Sequence, residues 1–189
     1  MGYLIGLCGY AQVGKDTAAR FMPGWRREAF GDELRADLAP VLQQIDRVAF
    51  ANGWADGLHL RELKRPVLVA YAEAMRAIEP TYWVGRLWGQ LAERSYGNVV
   101  ITDVRNVHEV ERILDPGFGF ISLGIIFIDR PGYGPANEVE AKSIQEIMAR
   151  WPDRFPRVVN DGTPEELGAK ILGVINHLIT VKRLQEVFN

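Results

Sequence analysis

The sequence predicts an α/β fold in which a mostly parallel five-stranded sheet lies between two layers of helices. Three observations predict it: five short strand-like runs alternate with helical segments, the longest of these runs are apolar almost throughout, and a glycine-rich turn joins the first run to a helix. Val99-Val-Ile101 and Ile125-Ile-Phe-Ile128 have the near-continuous apolar character of strands buried on both faces. Helices that connect neighbouring parallel strands place a binding site at the carboxyl ends of the strands.

The strands and helices can be assigned in order along the chain. Strands are expected near residues 3–8, 27–30, 98–103, 120–128 and 156–160. Helices are expected near residues 15–22, 32–51, 64–78, 81–95, 106–114, 138–150 and 164–180. The last helix has the clearest start, because Thr163 suits the N-cap, Pro164 the first helical position and Glu166 the capping box.

Two stretches interrupt the alternation of strands and helices. Residues 32–96 read as helical without a strand, which indicates an insert large enough to hold a second ligand. Residues 129–137 form a Gly/Pro-rich loop suited to a mobile lid. No linker divides the chain, so residues 1–189 are expected to form a single domain.

Composition favours an ordinary globular protein of 189 residues, with 48% hydrophobic and 24% charged residues. No apolar run approaches the ~20 residues of a membrane span, and no leader pattern is seen. The single Cys8 lies in the first strand as a small core residue, which fits a reducing cytoplasm. The net charge of −2 argues against a nucleic-acid partner.

Arginine dominates the basic residues, since 17 of the 22 are Arg. Its planar guanidinium grips phosphate through two hydrogen bonds, although a coding bias toward Arg explains the count equally well.

The most informative motif is the glycine-rich turn after the first strand. It consists of Gly9, Tyr10, Ala11, Gln12, Val13, Gly14, Lys15, Asp16 and Thr17. Its glycines permit positive φ and a close approach to an anion, the helix start adds partial positive charge, and Lys15 can reach the β- and γ-phosphates. The alternative is a glycine turn, capped by Asp16, that binds nothing.

The motif departs from the usual G-x-x-x-x-G-K-[ST] pattern at one position. Asp16 follows the lysine, and the hydroxyl comes one residue later, at Thr17. Magnesium keeps several of its waters in such sites. We therefore expect Mg²⁺ to be held largely through water, near Asp16, Thr17 and Asp103.

The buried strand that starts at Asn98 ends in charged residues. Asp103 stands where a strand-end carboxylate can hold magnesium-bound water, and Arg105 faces the same crevice. A surface ion pair between these two residues is the alternative. Glu109 either orients Arg105 or is a solvated acid in the first turn of a helix.

The insert holds further candidate ligands. Asp32, followed by Arg35, is either a helix N-cap or a ligand. Arg65 and Arg76 lie about three turns apart on one helix face, where they either contact a ligand or are solvated. Trp83 belongs to an amphipathic helix, and core packing is favoured over stacking on a base.

Five stretches together resemble the bacteriophage-type deoxynucleoside monophosphate kinases, within the P-loop nucleoside monophosphate kinase group. They are Gly9 to Thr17; Phe30-Gly-Asp-Glu-Leu-Arg35; Arg65 to Arg76 with Tyr82-Trp83 after it; Ile101-Thr-Asp-Val-Arg-Asn-Val-His-Glu109; and Asn160-Asp-Gly-Thr-Pro-Glu-Glu-Leu167. They span nearly the whole chain. The chain departs from the family's pattern at Val69 and Ala72, where Gln and Gly are expected.

The resemblance implies a P-loop kinase domain that uses ATP and Mg²⁺ to phosphorylate a deoxynucleoside monophosphate. Its catalytic residues would be Lys15, Asp103, Arg105 and Arg130. The glycine-rich turn would hold ATP, with Arg130 on the adenine and Asn160, Gly162 and Thr163 along its other edge. The acceptor would be bound by Asp32, Arg35, Arg65, Arg76, Trp83, Arg105 and Glu109.

The chemistry of the residues agrees with a kinase. Transfer to a phosphate needs no general base, because the attacking oxygen is already ionised; it needs positioning and charge neutralisation. A closing lid keeps water from taking the γ-phosphate. Two alternatives stay open: a P-loop kinase of another small molecule, with Asp32 or Asp103 as base, and a nucleotide-binding regulatory module. We expect no membrane partner and a cytoplasmic location, which would be the host cytoplasm if the protein is phage-encoded. The sequence leaves open whether the protein forms a homodimer.

Overall fold

A computed structural model describes residues 1–54, 57–94, 97–117 and 119–187, without the side chains of residues 58 and 59. Within these ranges the chain forms five strands and eight helices. The strands are β1 (Gly2–Cys8), β2 (Trp25–Glu28), β3 (Asn98–Val104), β4 (Phe120–Asp129) and β5 (Arg157–Val159). The helices are α1 (Lys15–Arg20), α2 (Phe30–Asp37), α3 (Ala39–Ala51), α4 (Gly57–Ile78), α5 (Tyr82–Glu93), α6 (Val107–Leu114), α7 (Glu138–Arg150) and α8 (Pro164–Val187).

The five strands form one sheet in the order β2-β3-β1-β4-β5, and every neighbouring pair is parallel. β1 lies at the centre, and Leu4, Ile5 and Leu7 are completely buried there. This burial explains the unbroken apolar runs, since a parallel strand between helical layers has no solvent face. The predicted α/β fold with a parallel five-stranded sheet is confirmed.

The parallel arrangement brings the segments that follow the strands to one edge of the sheet. Gly9 follows β1, Arg105 follows β3, Arg130 follows β4 and Asn160 follows β5. Residues from four separate motifs are therefore available at the carboxyl edge, where ligands bind in folds of this kind.

The chain divides into two compact units. Unit 1 consists of Met1–Ala29 and Leu91–Asn189 and contains the sheet. Unit 2, Phe30–Gln90, is helical, and its described residues contain no strand, as expected for the insert at 32–96. Residues 55, 56, 95 and 96 of that expected insert lie outside the described residues. The single domain over residues 1–189 stays a prediction.

Unit 2 has its own aromatic core. Trp83 is 3% exposed, and its Nε1 donates a hydrogen bond to the Ala72 carbonyl oxygen at 3.3 Å. The rings of Tyr71 and Tyr82 pack edge-on against it, and Phe30 stacks on Trp88 at 6.4 Å between centroids. The core packing favoured for Trp83 from the sequence is confirmed.

Several element boundaries differ from the sequence-based expectation. β2 covers residues 25–28 rather than 27–30, because Phe30 already begins α2. Asp32 consequently lies inside the first turn of α2, so the N-cap interpretation is wrong. The single helix expected at 32–51 is two helices, α2 and α3, and Pro40 occupies the first turn of the second.

The helix expected to begin at residue 64 is longer than the sequence indicated. α4 begins at Gly57, and Pro66 lies within it. A proline inside a helix leaves one carbonyl without its N–H partner. Pro66 and Glu62, whose carbonyl is the one affected, are both exposed, so water can satisfy that carbonyl.

None of the described helices combines the length and the apolar character that crossing a bilayer requires.

Candidate phosphate-binding site

The turn between β1 and α1 depends on two glycines with positive φ. Gly9 and Gly14 have φ values of 136° and 104°, which L-residues rarely adopt. A Cβ on Gly9 would overlap the Ile128 carbonyl oxygen, and a Cβ on Gly14 would lie 2.7 Å from Asn160 Nδ2. Both positions therefore require glycine, because of their φ values and because the segments after β4 and β5 pack closely against the turn.

Lys15 is folded over this turn. Its ammonium donates hydrogen bonds to the carbonyl oxygens of Gly9 at 2.7 Å and Tyr10 at 2.6 Å, and the residue is 7% exposed. Burial, with the neighbouring Arg105 guanidinium as the next cause, lowers the pKa of Lys15, while Glu140 and Asp103 act in the opposite direction. An anion bound in the turn would stabilise the charged form of this buried lysine.

Cys8 closes β1 immediately before the turn. It is fully buried, and burial raises the pKa of its thiol to about 12. Such a thiol stays protonated near neutral pH and is a poor nucleophile. The prediction that Cys8 is a core residue is confirmed.

Asp16 is held by two residues that the sequence analysis did not identify. Its Oδ1 accepts hydrogen bonds from Arg27 Nε at 3.1 Å and Thr102 Oγ1 at 3.0 Å. Arg27 comes from β2 and Thr102 from β3, so Asp16 connects α1 to both strands. No sequence motif predicts these contacts, because Arg27 and Thr102 are distant from Asp16 in sequence.

The described residues contain no cluster of three or more His, Cys, Asp or Glu side chains arranged to hold a metal ion. Thr17 is half-buried beside Asp16, and Asp103 is close enough for its charge to act on Lys15. Hydroxyl and carboxylate oxygens are suitable ligands for Mg²⁺ or its waters, so the residues fit a nucleotide-bound ion. The water-mediated magnesium site stays a prediction.

Glu109 caps the helix that follows Arg105. It is 2% exposed, and its Oε2 accepts from the backbone N–H groups of Arg105 at 2.6 Å and Asn106 at 3.1 Å. Asn106 Oδ1 accepts in return from the Glu109 N–H, which completes a capping box. Glu109 is therefore not a solvated first-turn acid, which was one of the two interpretations of the sequence. It holds the backbone of Arg105 in place.

Arg105 faces a second acid that the sequence analysis missed. Its Nη1 lies 3.6 Å from Oε1 of Glu140, a buried residue in the first turn of α7. A first-turn glutamate reads as an ordinary helix-dipole residue. Only the fold reveals that Glu140 lies beside Arg105 and close enough to Lys15 to act on its charge.

The segment after β5 lies on the other side of the turn. Asn160 Nδ2 donates to the Val13 carbonyl oxygen at 2.8 Å, and its backbone N–H donates to Asp129 at 2.7 Å. Thr163 and Glu166 exchange the two hydrogen bonds of a capping box, as predicted. A Cβ on Gly162 would collide with the Glu166 carboxylate, so this position favours glycine.

Arg130 begins the loop expected to act as a lid. Its Nη1 lies 3.4 Å from the carbonyl oxygen of Gln12 in the glycine-rich turn, and its guanidinium lies 4.4 Å above the Tyr133 ring. Residues 130–137 are exposed throughout. The structure therefore brings Arg130 and Asn160 to the same glycine-rich turn as Lys15.

The remaining candidates belong to unit 2. Asp32 and Arg35 form an ion pair at 2.9 Å within α2. Arg65 and Arg76 are exposed on α4. The acceptor-binding roles of these residues, and of Trp83, stay predictions.

Comparison with known proteins bears on the fold. No protein-family model and no curated protein sequence matches the chain. A solved gluconokinase structure from Sinorhizobium meliloti 1021 is similar with a TM-score of 0.51 and 14% sequence identity, covering 97% of each chain. The chain shares the α/β fold of this gluconokinase. A second solved structure, TT1252 from Thermus thermophilus, has a TM-score of 0.47 and 18% identity over 94% of this chain and 98% of its own.

This α/β fold accounts for the geometry of the site. The turn at residues 9–17 follows the central strand, and the segments after β3, β4 and β5 surround it. At this level of identity the similarity extends to the architecture alone. The chemistry has to be argued from the residues present in this chain.

Proposed function

We propose that this protein transfers the γ-phosphoryl group of ATP to a small acceptor, and that the acceptor is a deoxynucleoside monophosphate. The observation that carries the proposal is the Lys15 ammonium, which is buried in the glycine-rich turn and held there by the carbonyl oxygens of Gly9 and Tyr10. Both the burial and the charge of Arg105 oppose its protonated form. A polyphosphate in the turn would offset both effects, because its negative charge stabilises the charged forms of Lys15 and Arg105.

The roles of the residues around ATP follow from their positions. Lys15 would leave the carbonyl oxygens of Gly9 and Tyr10 and donate to the transferring phosphate. The side chain of Arg105 is 52% exposed, so its N–H groups could donate to phosphate oxygens as negative charge develops on them during transfer. Mg²⁺, held mainly through water beside Asp103 and Thr17, would supply further neutralisation of the phosphates.

The base of the nucleotide would be bound at the rim of the turn. Arg130 lies against Gln12 on this rim, and Asn160 fixes the turn through Val13. A planar guanidinium stacks well on an aromatic base, as Arg130 already does on Tyr133. These contacts support an adenine position between the loop after β4 and the segment after β5.

A monophosphate acceptor agrees with the surface arginines of unit 2. Arg35, Arg65 and Arg76 are all exposed or ion-paired at the surface, where a guanidinium can bind a phosphate through two hydrogen bonds. The attacking oxygen of a monophosphate is already ionised, so the reaction needs no general base. The resemblance of five stretches of sequence to deoxynucleoside monophosphate kinases supports this acceptor.

A second candidate is transfer to a hydroxyl group, such as that of a sugar acid. Asp103 is the observation that favours it, because a carboxylate close to Lys15 could accept the hydroxyl proton. The similar S. meliloti structure is that of a gluconokinase.

The test is an ADP-release assay with a panel of acceptors. The panel contains the four common deoxynucleoside monophosphates, the four ribonucleoside monophosphates, gluconate and a set of sugars, each with ATP and Mg²⁺. The proposal expects ADP release that depends on a deoxynucleoside monophosphate and exceeds the no-acceptor rate by more than ~100-fold. Release with gluconate or a sugar alone would favour the second candidate. ATP binding without any acceptor-dependent release would favour a regulatory module.

A further inference from the structure

Glu140 is a buried acid of α7 to which the proposed function assigns no role. Its side chain is 5% exposed, although it lies in the first turn of a helix that follows an exposed loop. Burying a carboxylate is costly unless hydrogen bonds and opposite charges compensate for the lost hydration. The partners of its two oxygens therefore indicate what the residue does.

One oxygen of Glu140 anchors the end of the loop. Oε2 accepts a hydrogen bond from the Ala136 N–H at 2.7 Å. The Glu140 N–H donates to Asn137 Oδ1 at 2.9 Å, so the two residues at the end of the loop are tied to the start of α7. The remainder of residues 130–137 is exposed and includes Arg130, which lies against the glycine-rich turn.

The other oxygen has no hydrogen-bond partner among the described residues. Oε1 is inaccessible to solvent, and Arg105 Nη1 lies 3.6 Å away, which is within ion-pair range but too long for a hydrogen bond. The charge of Glu140 also acts on Lys15. A buried, unsatisfied acceptor thus lies beside one cation of the crevice and near the other.

We propose that Glu140 is a positioning residue that couples the loop 130–137 to Arg105 when a nucleotide is bound. This inference rests on the proposed function, because it needs a polyphosphate in the crevice. A movement of roughly 0.5 Å would bring Arg105 Nη1 into hydrogen-bond range of Oε1. Arg carries five N–H donors, so the remaining ones stay available for phosphate. The same carboxylate would then hold the end of the loop and the arginine.

The central variant is Glu140→Gln, which keeps the size of the side chain and one oxygen for the Ala136 N–H but removes the charge. The matched control is Glu138→Gln, an equal change in charge at an exposed position in the same turn. We expect Glu140→Gln to lower kcat/KM for ATP by roughly ten-fold and Glu138→Gln by less than about two-fold. The melting temperature of the nucleotide-free Glu140→Gln protein should change little.

A double-mutant cycle separates positioning from a merely structural role. In an Arg105→Ala background, Glu140→Gln should lower kcat/KM by less than about two-fold, because the arginine that it positions is gone. An equal loss in both backgrounds, or no loss in either, would overturn the inference. If wild-type protein transfers phosphate and Glu140→Gln has an unchanged kcat/KM for ATP, this inference alone is wrong. Wild-type protein that binds no nucleoside triphosphate by calorimetry would overturn the proposed function as well.

A second measurement applies if Glu140→Gln does not fold. Chymotrypsin should cleave the exposed loop after Tyr133, which is 40% exposed. A saturating non-hydrolysable ATP analogue should slow this cleavage in wild-type protein and not in Arg105→Ala, which lacks the partner of Glu140. Equal protection of both proteins at saturation would contradict the proposed coupling.

Discussion

The ammonium of Lys15 donates a hydrogen bond of 2.6 Å to the carbonyl oxygen of Tyr10, five residues before it in the same turn. The lysine is thus held within the cradle, where the Gly9 carbonyl oxygen at 2.7 Å is its second acceptor. Both acceptors are neutral, so neither balances its charge. A phosphate group would replace weak acceptors with an anion, and this exchange is the physical basis of nucleotide binding in our account.

The lowered pKa of Lys15 predicts an alkaline limit on nucleotide binding. Burial, then Arg105, lowers the pKa of Lys15, so in the free protein it loses its proton at a lower pH than the ~10.4 of an unperturbed lysine. The cationic form binds phosphate. Affinity should therefore be full below the lowered pKa and fall as pH rises through it. Calorimetric titration of ATP between pH 7 and 10 measures this.

The same titrations have an internal control. Binding of ATP should raise the pKa of Lys15 again, so binding at alkaline pH should be accompanied by proton uptake, detectable in buffers of different ionisation enthalpy. Lys15→Ala should bind weakly and lose the proton uptake. Unchanged uptake in Lys15→Ala would assign the titration to another group.

Gly162 is predicted to be required for the cap of α8. Alanine at this position would push the Glu166 carboxylate from the Thr163 N–H, which costs about 1 kcal/mol as a lost cap hydrogen bond. For a chain of this size we expect a melting temperature lower by roughly 2–4 °C.

The matched control for Gly162→Ala is Gly173→Ala, in the exposed middle of the same helix. A Cβ at Gly173 meets no atom within 4 Å, so alanine should stabilise α8 by roughly 0.5–1 kcal/mol through helix propensity. The two substitutions should thus shift the melting temperature in opposite directions. A shift of the same sign for both would refute the assigned role of Gly162.

Most of the fold was predictable because its signals are local. The apolar runs predicted β1, β3 and β4, and the residues Thr163, Pro164 and Glu166 predicted the start of α8, since caps and buried strands depend on neighbouring residues. The start of α4 was misplaced for a local reason as well. Pro66 reads as the first turn of a helix, and only an exposed surface makes it tolerable in the interior.

The site was predictable only where one motif contains it. The glycine-rich motif predicts the position of Lys15. The hydrogen-bond partners of Asp16, in contrast, are Arg27 on β2 and Thr102 on β3. Glu140 lies 35 positions after Arg105, and nothing in the sequence around it distinguishes it from an ordinary helix-dipole acid. Long-range pairs of this kind become visible only when the sheet brings them together.

Magnesium is predicted to arrive with the nucleotide. One oxygen of Asp16 already accepts from Arg27 and Thr102, so this carboxylate is a poor candidate for direct ligation. Calorimetry of the free protein with Mg²⁺ should show no tight site, and Mg²⁺ should bind only once ATP is present. Micromolar binding of Mg²⁺ without nucleotide would contradict this prediction.

Arg65 and Arg76 are predicted to bind the acceptor rather than ATP. Lysine cannot reproduce the two-point grip of a guanidinium on phosphate, so Arg65→Lys and Arg76→Lys should each raise the acceptor KM by about ten-fold. The KM for ATP should change little. Arg47→Lys, at an exposed position on α3, is the control. If only the KM for ATP rises, the acceptor does not bind at these two arginines. If neither KM changes, both arginines are solvated surface residues.

The central claim is that Lys15 acts on the phosphate that is transferred. The most direct measurement follows γ-labelled ATP with the best deoxynucleoside monophosphate acceptor, comparing wild-type protein with Lys15→Ala after circular dichroism has verified the fold of both. We expect label in the diphosphate product from wild-type protein and a rate roughly 1,000-fold lower from Lys15→Ala, the loss typical of removing a transition-state charge contact. A folded Lys15→Ala protein that transfers label at a near-normal rate would contradict the account.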